Sequence, residues 1–127
     1  MKSLTIKEPW VSLIVQGFKK YEFRSWKTNY RGKLLIHAGL SKENINKFKD
    51  YNLDISSGEI IGESYITDCI LIDEKLDKEL RKIDKNVYGN NHVRLYAFIL
   101  EKEKNIKKNQ SKRKLGLWNY NEKIQEY

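Results

Sequence analysis

The chain has 127 residues and a formal net charge of +8, with 39% hydrophobic and 12% aromatic residues. Those fractions are too high for a disordered tail, and the length suits one domain that buries a core without staples. A lone cysteine, Cys69, excludes an intramolecular disulfide framework and leaves a zinc site short of ligands. We therefore expect a single domain over residues 1–127 that uses no metal or cofactor.

The sequence gives no sign of a membrane-bound or exported protein. No apolar run approaches the roughly 18 residues of a membrane span, and no basic-then-apolar leader opens the chain. With a single cysteine, the expected compartment is reducing. We expect a cytoplasmic protein without a membrane partner.

The positive charge is unevenly distributed along the chain. Residues 1–33 carry eight Lys and Arg against two acids, residues 34–100 nine against eleven, and residues 101–127 eight against four. If the fold brings the two ends together, a basic face forms that attracts phosphate backbones. Simple solubilisation is the alternative explanation of the same charge.

The N-terminal elements are a strand and a short helix. Residues 3–7 alternate as a strand does, and Pro9 suits the first turn of a helix because its missing N–H is unpaired there anyway. Gly17 supplies the end of that helix. The apolar face of the helix comprises Trp10, Leu13 and Ile14.

From residue 20 onward the apolar residues recur at every second position, which is typical of a half-buried strand. Tyr21 and Phe23 fall on one face, and Glu22 and Arg24 on the other. After a turn-like stretch, residues 33–38 read as a strongly apolar, buried strand.

The middle of the chain predicts a helix, a long strand and a second helix. Ser41 is a candidate cap for a helix over roughly 42–50, and residues 59–72 form a β stretch with Gly62 as a bulge. An amphipathic helix over about 74–84 follows. Its predicted buried side chains are Leu76, Leu80 and Ile83.

The C-terminal part predicts one clear strand and a basic loop. Residues 93–101 form the strand, residues 102–114 a lysine-rich loop or hairpin arm, and residues 115–118 return to the core. Strands outnumber the short helices and do not alternate with them regularly. The pattern predicts a mainly β, α+β fold: a small mixed barrel with short peripheral helices.

The densest group of candidate functional residues lies between residues 17 and 27. Glu22 and Arg24 share a strand face about 7 Å apart, so they can form an ion pair or contact a ligand together. A carboxylate beside cations stays ionised and can accept a hydrogen bond from a base amino group. Lys19 near an arginine loses its proton more easily, which suits a general base or nucleophile. The alternative is a surface strand with a purely structural ion pair.

The three tryptophans are candidate stacking platforms for a base, each worth roughly 1–3 kcal/mol. Helical spacing favours packing for Trp10, and the apolar context of Trp118 does the same. Trp26, between polar residues next to a basic turn, is the preferred ligand contact. His37, on an apolar strand, is expected in the core or the wall of a cleft, and Cys69 is expected to be a small buried hydrophobe. No glycine-rich phosphate loop, metal-ligand cluster or serine-nucleophile elbow is present, which argues against nucleotide-triphosphate and metal-hydrolase chemistry.

A specific N-terminal motif combines a Pro-Trp pair, a helix-ending glycine and a Lys/Glu/Arg triplet at fixed offsets. It runs from Leu4 to Trp26, and further matches follow in order at 31–38, 58–62, 68–69, 96–98 and 115–118. In these residues the chain resembles the ASCH (activating-signal-cointegrator homology) domain family, a branch of the PUA-like superfamily. The resemblance implies a PUA-like β-barrel of five or six strands with a cleft beside the first helix, and binding of RNA or another nucleic acid.

The resemblance also raises the prospect of catalysis. Some similar small bacterial members hydrolyse the amide of N4-acetylcytidine, and ribonuclease activity is attributed to others. In the amidohydrolase branch a lysine is followed three residues later by threonine. Lys19 matches that lysine, but Glu22 replaces the threonine, and no downstream catalytic carboxylate can be assigned beyond the unsupported candidates Glu59 and Glu63.

Three hypotheses about function follow. The first is a module whose basic cleft binds single-stranded RNA or a modified nucleobase, with DNA or a nucleoside as alternative ligands; no recognition helix for duplex DNA is evident. Its predicted base-recognising residues are Lys19, Glu22, Arg24 and Trp26. Its predicted phosphate contacts are Lys27, Arg31, Lys33, Lys112, Arg113 and Lys114.

The second hypothesis is a small hydrolase of a modified nucleoside or RNA. Lys19 would be its base or nucleophile, Glu22 a proton acceptor or substrate anchor, and Arg24 the group that stabilises developing negative charge. The third is an adaptor whose lysine-rich arm holds an acidic protein partner.

Overall fold

Six strands form one mixed sheet in the computed structural model, which describes residues 1–110 and 116–120. The strands are β1 (Lys2–Glu8), β2 (Tyr21–Arg24), β3 (Gly32–Lys42), β4 (Glu59–Leu71), β5 (Tyr96–Gln110) and β6 (Leu117–Asn119). The helices are α1 (Trp10–Val15), α2 (Glu74–Ile83), α3 (Lys85–Tyr88) and a 3-10 helix, Ile45–Tyr51. The mainly β class with few short helices is therefore confirmed.

The predicted closure into a barrel is wrong. The hydrogen-bonded order is β2-β5-β4-β3-β1-β6, and within the described ranges no ladder joins β2 to β6. These two strands are four and three residues long, and each pairs on one side only, so the sheet stays open. β1 runs parallel to β3, and the other ladders are antiparallel.

β3 lies in the middle of the sheet and is buried on both faces. Leu34 and Ile36 join one apolar cluster with α1, while Leu35 joins another on the opposite face with Trp118. A strand buried on both sides reads as a continuous apolar run, and this is why residues 33–38 stood out in the sequence.

Helix α1 packs closely over β4 at Gly62. A Cβ atom there would lie 2.7 Å from both Val15 methyl groups and 2.8 Å from the carbonyl oxygen of Lys104. The register of β4 against β5 also shifts between Ile60 and Gly62, as the predicted bulge requires. Only glycine lets the helix approach the sheet this closely.

A buried carboxylate anchors the start of α1. Glu8 accepts hydrogen bonds from the backbone N–H of Ser12 (3.1 Å), the hydroxyl of Ser12 (2.7 Å) and the backbone N–H of Ser56 (2.8 Å). Burial raises the pKa of Glu8, and these donors oppose the shift. Glu8 thereby ties β1, α1 and the loop before β4 together.

Two expectations about helices are wrong. Ser41 lies inside β3 and caps nothing; the 3-10 helix begins after Asn44, which takes a left-handed backbone (φ 47°) that asparagine tolerates. Ile83 is 66% exposed rather than buried. The charged residue Asp77 occupies the inner face of α2 beside Leu80, and a pattern of apolar residues alone cannot reveal that.

A loop and a hairpin arm were both expected for the basic segment after residue 101, and its described part is a strand and not a loop. Residues 102–110 continue β5 and pair with β4. Ile106 is fully buried, while most of the charged residues around it face solvent. With a single apolar residue in this stretch, the alternation typical of a strand was hidden. Lys112, Arg113 and Lys114 lie outside the described residues.

Candidate ligand-binding cleft

A cleft of about 370 Å³ opens beside α1, where β1, β2 and the end of β3 meet the loop after α3. Its volume lies at the lower end of the range for small-molecule sites. Lys19, Glu22 and Arg24 all line it, so the structure brings the predicted triplet into one site.

The end of α1 places Lys19 in this cleft. The N–H of Gly17 donates to the carbonyl of Ile14 (3.1 Å), and the N–H of Phe18 donates to the carbonyl of Leu13 (2.8 Å). This pair of bonds is a Schellman motif, and Gly17 adopts the positive φ (90°) that it requires. The chain then turns back under the helix, and the Lys19 side chain is 3% exposed.

The triplet forms one ion-pair network around a buried carboxylate. Glu22 accepts from Lys19 Nζ at Oε1 (2.9 Å) and from an Arg24 terminal nitrogen at Oε2 (3.0 Å). Lys19 also donates to the carbonyl of Tyr21 (2.5 Å), and Arg24 to the carbonyl of Thr5 (2.7 Å). Arg24 Nε is buried and has no hydrogen-bond partner among the described residues.

The network determines the protonation of its members. Burial by itself would raise the pKa of Glu22, but the charges of Lys19 and Arg24 outweigh it, and the pKa is lowered. Burial lowers the pKa of Lys19 although Glu22 opposes the shift. The arrangement holds an ionised carboxylate between two cations, with a lysine that releases its proton more easily than an exposed one.

Trp10, rather than Trp26, is the tryptophan that lines the cleft. Its indole N–H donates to Glu43 (2.8 Å), and its ring packs edge-on against Phe48. Trp26 packs edge-on against Phe98 with ring centroids 5.1 Å apart and is not among the cleft residues. The contact predicted between Trp26 and a ligand therefore stays a prediction, and it does not lie in this cleft.

Phe23 forms a second aromatic surface. The sequence placed it on the face opposite Glu22, yet it also lines the cleft. Lys19 Nζ lies 4.7 Å from the Phe23 ring centroid, and His92 stacks on the same ring at 3.9 Å. The Phe23 ring is thus already in contact with His92 and Lys19, and it joins the charged network to the loop after α3.

The predicted phosphate contacts that the structure describes lie away from this cleft. Arg31 pairs with Asp68 (3.3 Å), Lys33 pairs with Glu63 (3.2 Å), and Lys27 is exposed. None of the three is among the cleft residues. Their contact with phosphate stays a prediction.

The expected basic character of the cleft is not confirmed. Its charged lining residues comprise three cations, Lys7, Lys19 and Arg24, and two acids, Glu22 and Glu43. The terminal segments do adjoin, since β2 pairs with β5 and β1 with β6, but their ion pairs offset part of the charge.

Two further candidate residues occupy structural positions. His37 is fully buried, lies 3.1 Å from the Thr5 hydroxyl through Nδ1 and meets the Trp118 ring edge-on. Cys69 is a free, buried thiol, as expected. Glu59 and Glu63 are not among the cleft residues, so neither is placed to serve the triplet.

Sequence reasoning missed the residues that later elements bring to the cleft. Glu43 and Leu40 come from the end of β3 and just beyond it, and His92 comes from the loop after α3. Leu40 is 72% exposed at the rim, an unusual position for a leucine. A polar segment such as residues 89–92 carries no local signal of its neighbours in space, so only the fold could reveal them.

Two other features bear on the class of site. Among residues 1–110 and 116–120, no three His, Cys, Asp or Glu side chains are grouped so that they could hold a metal ion. The described helices include none with the length and apolarity needed to cross a membrane.

The fold and the cleft define a mainly β domain with a charged triplet in a cleft beside its first helix. The family model of the ASCH domain matches residues 4–118, and the chain therefore belongs to the ASCH domain family. The resemblance inferred from the motifs is confirmed.

Relatives of known name are similar over parts of the chain. Human activating signal cointegrator 1 is 33% identical over 81 residues, which cover 53% of this chain and 14% of that protein. The mouse protein of the same name is 51% identical over 35 residues, covering 28% of this chain and 6% of that protein. The chain thus spans only a small part of the length of these relatives.

A solved structure is also similar. The crystal structure of a point mutant of the ASCH protein from Zymomonas mobilis aligns with 86% of this chain and 74% of its own, at 16% sequence identity and a TM-score of 0.49.

Proposed function

We propose that this protein binds single-stranded RNA by taking one nucleobase, which can be a modified one, into the cleft beside α1. The observation that carries the proposal is the Lys19–Glu22–Arg24 network, held at the floor of a cleft with aromatic side chains on its walls. Membership of the ASCH family supports it, because the resemblance implies nucleic-acid binding.

The floor offers donors and acceptors suited to a base edge. The Glu22 carboxylate can accept from an amino group, and the Arg24 side chain, which is 23% exposed, can donate from its guanidinium. Two cations share one carboxylate, so the network keeps one excess positive charge, and a neutral ligand leaves both of its ion pairs in place. A base satisfies these groups better than a phosphate, which would face Glu22.

The walls and the volume suit one unstacked base. Trp10 provides aromatic surface, and a cavity of about 370 Å³ admits a nucleoside but not a duplex. The lining carries one more positive than negative charge, and Lys7 is exposed. This excess of positive charge favours contact with the phosphate backbone of the bound RNA strand.

The test compares nucleosides with RNA oligomers at several salt concentrations by calorimetry or tryptophan fluorescence. We expect nucleoside affinity to be nearly independent of salt, and single-stranded RNA affinity to fall with a logarithmic slope of about −0.7 for each phosphate contact. Lys7→Gln is expected to make the RNA slope shallower by about one contact and to spare the nucleoside. Duplex RNA is expected to bind weakly.

Two matched variants complete the test. Lys78→Gln, on the exposed side of α2, controls for the loss of one positive charge. The Lys27→Gln variant tests whether bound RNA also contacts the surface beyond Trp26. The proposal fails if neither a nucleoside nor single-stranded RNA binds saturably at low salt.

Hydrolysis of the bound nucleoside is a second candidate function, favoured by the burial of Lys19 and its lowered pKa. In its neutral form Lys19 would take a proton from water as that water adds to the acyl carbon. The C–N bond then breaks and Lys19 returns the proton to the departing nitrogen, which yields a carboxylic acid and the free amine. We expect release of acetate and cytidine from N4-acetylcytidine if this function exists, and at least a hundredfold slower release for Lys19→Met. Turnover that survives the substitution excludes Lys19 as the base, and no turnover by the wild type leaves binding alone.

A further inference from the structure

His92 is held in the cleft by a buried carboxylate. Asp77, fully buried on the inner face of α2, accepts from the backbone N–H of His92 (3.1 Å), and its Oδ1 lies 3.5 Å from Nδ1 of the His92 ring. The ring stacks on Phe23 with centroids 3.9 Å apart and planes 21° apart. The loop and the imidazole are thus fixed by α2 on one side and β2 on another.

This geometry orients the two ring nitrogens differently. Asp77 lies on the Nδ1 side without forming a hydrogen bond to that nitrogen, and its negative charge favours the tautomer with the proton on Nδ1. His92 lines the cleft and its side chain is 12% exposed, so Nε2 is the nitrogen left for a ligand. In that tautomer Nε2 is a hydrogen-bond acceptor.

We propose that His92, oriented by Asp77, is a ligand-contacting residue whose Nε2 accepts a hydrogen bond from an N–H group of the bound nucleobase. The inference rests on the proposed function and deepens it. It names the ligand class as bases that present an imino or amino donor, and it disfavours bases alkylated at that donor.

The charges around His92 favour the neutral ring that this role needs. Burial lowers its pKa first, and Lys19 lowers it further; Asp77 acts in the opposite direction, and Arg81, which is paired with Asp77, lowers it again. The net pKa lies below the ordinary histidine value. At neutral pH the ring is therefore an acceptor and not a cation.

The sign of the pH dependence separates this role from phosphate binding. An acceptor is lost when the ring is protonated, so affinity should fall as the pH drops through the His92 pKa, by about tenfold for each pH unit below it. A histidine that held a phosphate would show the reverse, because the imidazolium attracts an anion.

The experiment measures the affinity of uridine and of a short oligouridylate between about pH 5 and 8, where uracil keeps its charge. Wild type is expected to weaken toward low pH. His92→Gln keeps an acceptor without titration, so its affinity should stay near that of the wild type at neutral pH, with a flat profile. His92→Phe keeps the stack on Phe23 and should bind more weakly, also with a flat profile. 3-Methyluridine, which lacks the imino donor, should lose affinity for wild type but not for His92→Phe.

The outcomes are distinguishable. The Lys19–Glu22–Arg24 network remains in His92→Gln, so any pH dependence left in that variant belongs to the network. Tight binding by the wild type with a flat profile, or with affinity rising at low pH, overturns the role of His92 and leaves the proposed function standing. Absence of binding at every pH removes the proposed function and this inference with it. Thermal unfolding of each variant identifies any that fails to fold.

Discussion

Replacing Glu22 by glutamine is expected to lower the free energy of unfolding at neutral pH by about 3 to 5 kcal/mol. The substitution keeps the shape of the side chain but removes the carboxylate that Lys19 and Arg24 share, and Lys19 is almost fully buried. A buried cation without its counter-ion retains its cost of desolvation. Urea unfolding measures the change.

The control for this variant is Glu79→Gln, an exposed position on α2 that should change stability by no more than about 0.5 kcal/mol. The double variant Lys19→Met/Glu22→Leu should recover most of the loss, because an apolar pair of similar volume replaces the buried ion pair. It should not recover ligand binding. If Glu22→Gln unfolds like the wild type, the network does not stabilise the fold.

The same network predicts the direction of acid sensitivity. The folded-state pKa of Glu22 is lowered, so its stabilisation is present above the unfolded pKa of about 4.3 and is lost as pH falls through the folded value. The difference in stability between wild type and Glu22→Gln should therefore shrink below about pH 4. Glu8, whose pKa is raised, contributes with the opposite sign.

Trp10→Leu is expected to weaken ligand binding by about 1 to 3 kcal/mol, which is roughly fivefold to a hundredfold in affinity. Trp10 lines the cleft, and its indole is held by Glu43, so leucine removes a positioned stacking surface while keeping apolar volume. Isothermal titration with a nucleoside and with single-stranded RNA measures the loss.

Trp26→Leu is the matched variant. Trp26 packs against Phe98 outside the cleft, so its replacement should lower stability by about 1 to 2 kcal/mol and leave nucleoside affinity unchanged. If Trp26→Leu weakens nucleoside binding while Trp10→Leu does not, the ligand occupies a site other than this cleft.

Local periodicity was enough to predict the elements that carry the triplet. The alternation of residues 21–24 placed Glu22 and Arg24 on one face, and Gly17 gave the end of α1, because both signals depend on a few adjacent residues. The family motif was recognisable for the same reason. Its main functional residues lie within one short stretch of chain.

The remaining features depend on contacts between distant parts of the chain. His92 reaches the cleft because α2 presents a buried aspartate, and no pattern around residue 92 records that. The sheet is open because no described ladder joins β2 to β6. The residue types of the strands do not specify which strands pair. Packing was favoured over ligand contact for Trp10 because its helical spacing satisfies a core pattern, although Trp10 also lines the cleft.

The position of β1 has a consequence for the order of folding. β1 pairs with β3 on one side and with β6 on the other, and the backbone N–H of Tyr120 donates to the carbonyl of Met1 (2.7 Å). During synthesis, the first strand must wait for more than a hundred further residues to leave the ribosome before its second neighbour exists. Until then one edge of β1 is open to pairing with other chains. We expect the last folding step to be slow, because it closes the longest loop in the sheet.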